Sequence, residues 1–283
     1  MIRVRVHQTR IKHFTRQMAE ENVLPIPNLA LPQECFVLQQ PSLAHLHDNA
    51  RDALLRGIKA DQMAPYYRLV VAANVLPLDQ ALLDKLEKEN VTELERLDQV
   101  LKEAEETEGE SDIADALRAK AGYLTRIGEK VCPRRMIFPK RSPLTSTCLV
   151  LYVQEKAIEA QQLALEKTAG LGSRIDIVLT LVRIGFFFGD NQLISTNLAK
   201  ADEFVETGGD WDRRNRLKVY RGLHLLSIRQ FKNASALLID ALSTFTATEL
   251  LSYNDFVSLT VISGTLTLNR VDLKKKVRLF SII

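Results

Sequence analysis

Histidine, cysteine and carboxylate are the side chains that could support metal, nucleophilic or acid–base chemistry, and in this chain their spacing argues against all three. The five histidines are His7, His13, His45, His47 and His224. His45 and His47 stand two apart, so on a helix they face different ways and cannot chelate one ion. The cysteines, Cys35, Cys132 and Cys148, have no metal-ligand spacing and suit a reducing compartment. No glycine-rich phosphate loop, GxSxG elbow or HExxH pair is present. Carboxylates crowd residues 87–110, where a helical pattern makes them a solvated face. A hydrolase or transferase using that face, with Glu103, Glu105 and Glu106, is the enzyme-class alternative. No catalytic, cofactor-binding or metal-ligating residue is expected.

The most distinctive polar string is Gly208-Gly-Asp-Trp-Asp-Arg-Arg-Asn-Arg-Leu-Lys-Val-Tyr-Arg-Gly222. Gly208 and Gly209 end one helix. Asp210 or Asp212 caps the next with its charge near the helix N-terminus, and Trp211 staples the junction. Two readings stay open. Trp211, Arg213, Arg214, Arg216 and Lys218 form a charged partner-docking surface, or the string is a cap with intramolecular ion pairs.

These residues must be positioned by helices, because the chain carries a repeat. Phe188 to Ile194 is six residues and Ile194 to Ala201 seven; Ile228 to Ala234 is six and Ala234 to Ala241 seven. A third copy, Ile127, Ala157, Ala164, has the same spacing once the 24 residues 131–154 are removed, and the periods become 37 and 40 residues. Such periods belong to helix-turn-helix repeats that stack into solenoids. Seven residues is two helical turns, so a small residue returns to one face and lets a neighbouring helix approach.

Residues 131–154 (VCPRRMIFPKRSPLTSTCLVLYVQ) lack acids, and Pro133, Pro139 and Pro143 forbid a helix across most of them. We expect a translated, retained intron: 24 codons are 72 nucleotides. Val-Cys can be encoded by GTATGT, Leu144-Thr145 by a CTNAC branch sequence and Gln154 by a terminal CAG. A surface loop inserted at a turn is the alternative.

At 283 residues with 46% hydrophobic and 26% charged residues, the chain can bury a substantial core. The net charge of +3 has no dominant sign in the folded part, so nucleic acid is not implied, and no window is apolar enough to span a membrane. Residues 1–17 carry seven basic residues when His is included and no acid, which leaves a transit peptide or spurious upstream translation; we favour the second, in which 1–17 is not native, and Met18 offers an ordinary start. Pro25, Pro27, Pro32 and Pro41 predict that residues 1–41 are an extended or disordered N-terminal segment. Ser42 is the expected N-cap of the first helix. Further helices are expected at 63–73, 78–89, 92–108, 111–127, 155–168, 174–188, 193–206, 213–229, 231–245 and 250–268. Thr, Val and Ile give the last of these a weak strand signal.

The GGDWDRRNRLKVY string, with Ser243-Thr-Phe-Thr246, Met63-Ala-Pro-Tyr-Tyr67 and Ser173-Arg-Ile-Asp-Ile177, resembles a fungal form of the 26S proteasome regulatory-particle subunit known as non-ATPase subunit 7 in yeast and subunit 6 in animals. The first subunit of the COP9 signalosome is similar in architecture without this string. The resemblance covers residues 34–277 outside the insert. It implies an all-α protein: a right-handed, TPR-like helical-repeat solenoid arm over 42–245, leading at 246–283 into a PCI domain that is incomplete here. A second retained intron at Val277-Arg278 would account for that. It further implies a non-catalytic scaffold of the proteasome lid in ubiquitin-dependent degradation. Its partners would be other lid and base subunits in cytoplasm and nucleus, with no nucleic acid, membrane or small-molecule substrate. A COP9-type or other PCI scaffold is the runner-up.

Overall fold

The computed structural model describes residues 23–107, 109–129 and 156–280, and every regular element among them is helical. In chain order these are α1 (Ala30–Gln39), α2 (His47–Ala60), α3 (Ala64–Ala72), α4 (Gln80–Thr107), α5 (Glu110–Arg126) and α6 (Lys156–Lys167). They continue as α7 (Leu171–Phe188), α8 (Asn191–Gly208), α9 (Trp211–Ser227), α10 (Phe231–Asp240), α11 (Tyr253–Thr267) and α12 (Arg270–Phe280). Short 3-10 turns occupy Pro41–Leu46 and Leu242–Thr244. Neighbours in sequence are neighbours in space. Helix α5 packs on α6, α7 on α8 and α9 on α10, and successive hairpins stack through α6 on α7, α8 on α9 and α7 on α9. The architecture is the expected all-α solenoid.

One turn chemistry sets the repeat. Each first helix ends with a residue in the left-handed region, Gly128 at φ 66°, Gly189 at φ 71° and Arg229 at φ 64°. The next amide reaches back six residues inclusive: Glu129 N–H donates to Leu124 C=O (3.2 Å), Asp190 to Gly185 (2.9 Å) and Gln230 to Leu225 (2.8 Å). That bond satisfies a helix-end carbonyl and reverses the chain. The same turn closes α2 and α3, with Gln62 and Asn74 at φ 55° and 56°. The small residues of the repeat then meet the facing helix: Ala157, Ala164, Ala201, Ala234 and Ala241 are all buried. Glycine makes the approach closer still. A Cβ on Gly185 would lie 2.6 Å from Ile194 Cγ1, and one on Gly222 2.6 Å from Leu238 Cδ2.

The α5–α6 hairpin forms as the shortened register requires. Lys156 Nζ donates to Glu129 Oε1 at 2.9 Å, so the two ends of the interrupted turn meet. Residues 131–154 themselves, the leader 1–17 and the last residues of 246–283 lie outside the described residues.

Two apolar clusters divide most of the core. One gathers Ile175, Val178, Leu198, Tyr220, Leu238 and Phe256 from α7 to α11, and the other Leu54, Ile58, Met63, Tyr67 and Leu83 from α2 to α4. Phe187 of α7 joins the second cluster, and Leu29 lies against both.

Three expectations need correction. Residues 30–39 are helical rather than extended: Pro32 occupies the first turn of α1, where a missing N–H leaves nothing unpaired, and Pro41 ends the helix by holding Gln40 extended. Ser42 does not cap α2, because the chain enters that helix through the 3-10 turn with no side-chain cap. The separate helices at 78–89 and 92–108 are one helix, α4. Asn90, in the expected break, is buried with its amide donating to Gln62 C=O (3.0 Å) and Tyr123 Oη (3.1 Å), so it is satisfied without interrupting the helix. The weak strand signal near 257–268 gives way to α11.

Candidate partner-docking site on α9

The polar string at the start of α9 sits where α7, α9 and the 247–250 segment meet. Asp210 caps the helix, its Oδ1 accepting the Arg213 N–H at 2.9 Å. Arg213 grips Asp176 of α7 with two parallel bonds, Nε to Oδ1 at 3.1 Å and Nη2 to Oδ2 at 2.6 Å, and donates Nη1 to Asp210 Oδ2 at 2.6 Å. Its guanidinium passes over Gly172, where a Cβ would stand 3.0 Å from Arg213 Cζ. Burial alone would lower the Arg213 pKa, but the carboxylates of Asp176 and Asp210 outweigh it and raise it.

Arg216 is more deeply enclosed. Nη2 donates to Asp212 Oδ2 at 2.7 Å, Nη1 lies 3.7 Å from Asp176 Oδ1, and Nε lies 3.5 Å from Glu249 Oε1, too far for a hydrogen bond. Glu249 is 4% exposed and its Oε1 accepts a hydrogen bond from the Tyr220 hydroxyl at 2.9 Å. Burial, with the nearby Glu249 charge, pushes the Tyr220 phenol well above its ordinary range. Lys218 bonds Asp240 at 2.6 Å, and Arg221 pairs with Asp202 of α8.

The structure therefore splits the sequence-nominated set. Arg213, Arg216 and Lys218 are engaged by carboxylates of α7, α9, α10 and the following segment, and they fix how α9 seats. The bidentate Arg213–Asp176 pair adds a planar, directional constraint between α9 and α7. Trp211 and Arg214 point outward. Trp211 is 64% exposed, so the expected staple does not form, and Arg214 is also exposed. Standing three apart on α9, they share a face. Arg214 also lines a shallow cavity of about 470 Å³ with Asp202, Glu206, Lys218 and Arg221. Tryptophan and arginine are each over-represented among energetically dominant interface residues.

Asp176, Glu249 and Tyr220, which complete the network, were not singled out by sequence. Arg183 also was not, although a lone charge inside the apolar run 177–188 was a signal of a buried polar partner. His224 and several α4 carboxylates have neighbours within the fold. His224 Nε2 lies 3.2 Å from Ser195 Oγ, but that hydroxyl donates to Asn191 C=O, and the other imidazole nitrogen is buried without a hydrogen-bond partner. Burial holds the His224 pKa down. Carboxylates of α4 pair with cations: Glu93 with Arg96 at 2.7 Å, Asp98 with Lys120 of α5 at 2.5 Å, and Glu87 with Arg68 of α3. Among the described residues no cluster of three His, Cys, Asp or Glu suits a metal ion, and no helix is long and apolar enough to cross a membrane.

The sequence matches the family model described as 26S proteasome subunit RPN7 over residues 79–132 and 152–276, which leaves 133–151 outside the match. The 26S proteasome non-ATPase regulatory subunit 6 homolog of Arabidopsis thaliana is 37% identical over 252 residues, covering 89% of this chain and 59% of that protein. The 26S proteasome regulatory subunit rpn7 of Schizosaccharomyces pombe is 32% identical over 261 residues (91% of this chain, 60% of that protein), and the RPN7 subunit of Saccharomyces cerevisiae is 30% identical over 283 (92% and 60%). The chain thus spans about 60% of the length of these relatives. The family match runs through α4 to α12 and breaks only where the repeat register also breaks, and on that ground the chain belongs to the 26S proteasome subunit RPN7 family.

Proposed function

We propose that this chain is a non-catalytic structural subunit of the 26S proteasome regulatory-particle lid, a scaffold for ubiquitin-dependent protein degradation. The observation that supports it is the family match across the stacked hairpins, which are tied by inter-helix ion pairs such as Arg213–Asp176 and Lys218–Asp240. Residues 42–245 serve as the helical-repeat arm and 246–283 as the start of a PCI region. Other lid and base subunits are its partners in cytoplasm and nucleus. Trp211 and Arg214 are the docking residues we favour, while Arg213, Arg216 and Lys218 hold the helix that presents them. The outer side of α11 exposes Ile262 and Leu266, one helical turn apart, an apolar stripe for a stacking neighbour.

Affinity capture of the tagged full-length chain from its own cells tests this reading. Recovery of proteasome ATPases and lid subunits is expected. Recovery of signalosome subunits in their place would transfer the chain to the COP9-type alternative.

A further inference from the structure

Ahead of α1 the chain runs as a short strap, residues 23–29, across helices far from it in sequence. Its anchor is Arg183 of α7, 2% exposed. Arg183 donates Nη1 to the Leu24 carbonyl at 2.5 Å and Nη2 to Thr180 Oγ1 at 2.7 Å, and its Nε is buried without a partner. No carboxylate lies within ion-pair distance of it among the described residues, so the strap carbonyl is the group that answers this buried charge from outside α7. Ile26 reaches over Gly122 of α5, 3.9 Å from the position a Cβ would take there. Pro27 is buried, and Leu29 packs against both large apolar clusters.

The chemistry of strap and seat is matched. A guanidinium only donates hydrogen bonds. In Leu24-Pro25-Ile26-Pro27 two of four residues lack an N–H and the Ile26 N–H turns back onto the Leu24 carbonyl at 2.8 Å, so the backbone offers mainly acceptors, and the prolines cut the entropy lost on docking. The footprint of the strap is apolar, Ile26, Pro27 and Leu29, around one fixed donor, Arg183.

We propose that the face of α5 and α7 around Arg183 is a binding site for a turned, apolar, proline-containing peptide, the Ile26 N–H bonding the Leu24 carbonyl at 2.8 Å as it does in the strap. The chain's own residues 23–29 fill it in cis, and the segment binds there without its covalent tether. The site is independent of the exposed face of α9 and of any proteasome partner.

The test uses the full-length chain with Ile26→Asp and Pro27→Asp, which expel the strap, and a labelled peptide of residues 22–30 read by fluorescence anisotropy. The peptide is expected to bind the strap variant and to compete poorly with the occupied wild-type site. Adding Arg183→Met should weaken binding about tenfold or more, the loss of a charge-assisted hydrogen bond. No binding to a strap variant that keeps its helical circular dichroism, or equal binding with Met at 183, would overturn the proposal. Should the strap variant fail to fold, limited proteolysis of the otherwise wild-type chain decides. Arg183→Met should speed cleavage within 23–29 several-fold, and an unchanged rate would refute the anchor.

Discussion

Removing residues 131–154 from the full-length chain should make it more stable, a reversal of the usual outcome for deleting 24 residues. At present 26 residues join Glu129 to Lys156, whose side chains nevertheless meet at 2.9 Å. Deletion leaves two residues, Lys130 and Glu155, and restores the six-residue spacing from Ile127 to Ala157 that α7–α8 shows from Phe188 to Ile194. The turn needed is already built, with Gly128 left-handed and the Glu129 amide bonded to Leu124. Shortening the connection from 26 to two residues relieves closure entropy that scales as (3/2)RT ln n, about 2 kcal/mol. For a domain of this size that is a rise of about 4–8 °C in Tm. Thermal and urea unfolding, followed by far-ultraviolet circular dichroism, would measure it. A deletion variant that melts lower, or loses helix signal, would show that the segment packs on the arm and that the shortened register is not the structural one.

Other outcomes follow from the same geometry. Gly189→Ala should cost about 1 kcal/mol and Arg229→Gly should gain about as much, since both positions are left-handed and only glycine adopts that region freely; urea midpoints would show it. Glu249→Ala should cost about 3 kcal/mol, because it leaves the buried Tyr220 hydroxyl and Arg216 short of their carboxylate. The His224 pKa is depressed by burial below its ordinary 6.5, so its contribution to stability is intact above that pH and falls as the pH drops through the folded value. Denaturation at pH 7.5 and pH 5 should show a loss that His224→Gln reduces. Finally, transcripts sequenced across codons 130 to 155 should include messages that join Lys130 directly to Glu155.

Much of the fold was legible because it rests on periodic small residues. Ala201, Ala234 and Ala241 are buried where a two-turn spacing puts them, and Gly128 and Gly189 mark helix ends in the familiar way. Arg229 occupies the same turn without any such signal, since an arginine gives no warning of a left-handed backbone. The helix at 30–39 was hidden by Pro32, read as a breaker although the first helical turn tolerates it. The site was less legible. The cap at Asp210 follows from residue type and position, but Asp176, 37 residues before Arg213, could be paired with it only in three dimensions. Sequence gives the charges of a string and not which of them face inward.

The most direct test of the scaffold reading is native mass spectrometry of the complex captured on the tagged full-length chain, with Trp211→Ala and Arg214→Ala compared in parallel. Recovery of proteasome lid and base subunits is expected, with the double variant recovering fewer partners at an unchanged Tm. A wild-type chain that stays free of proteasome subunits, or travels with the signalosome, would contradict the account.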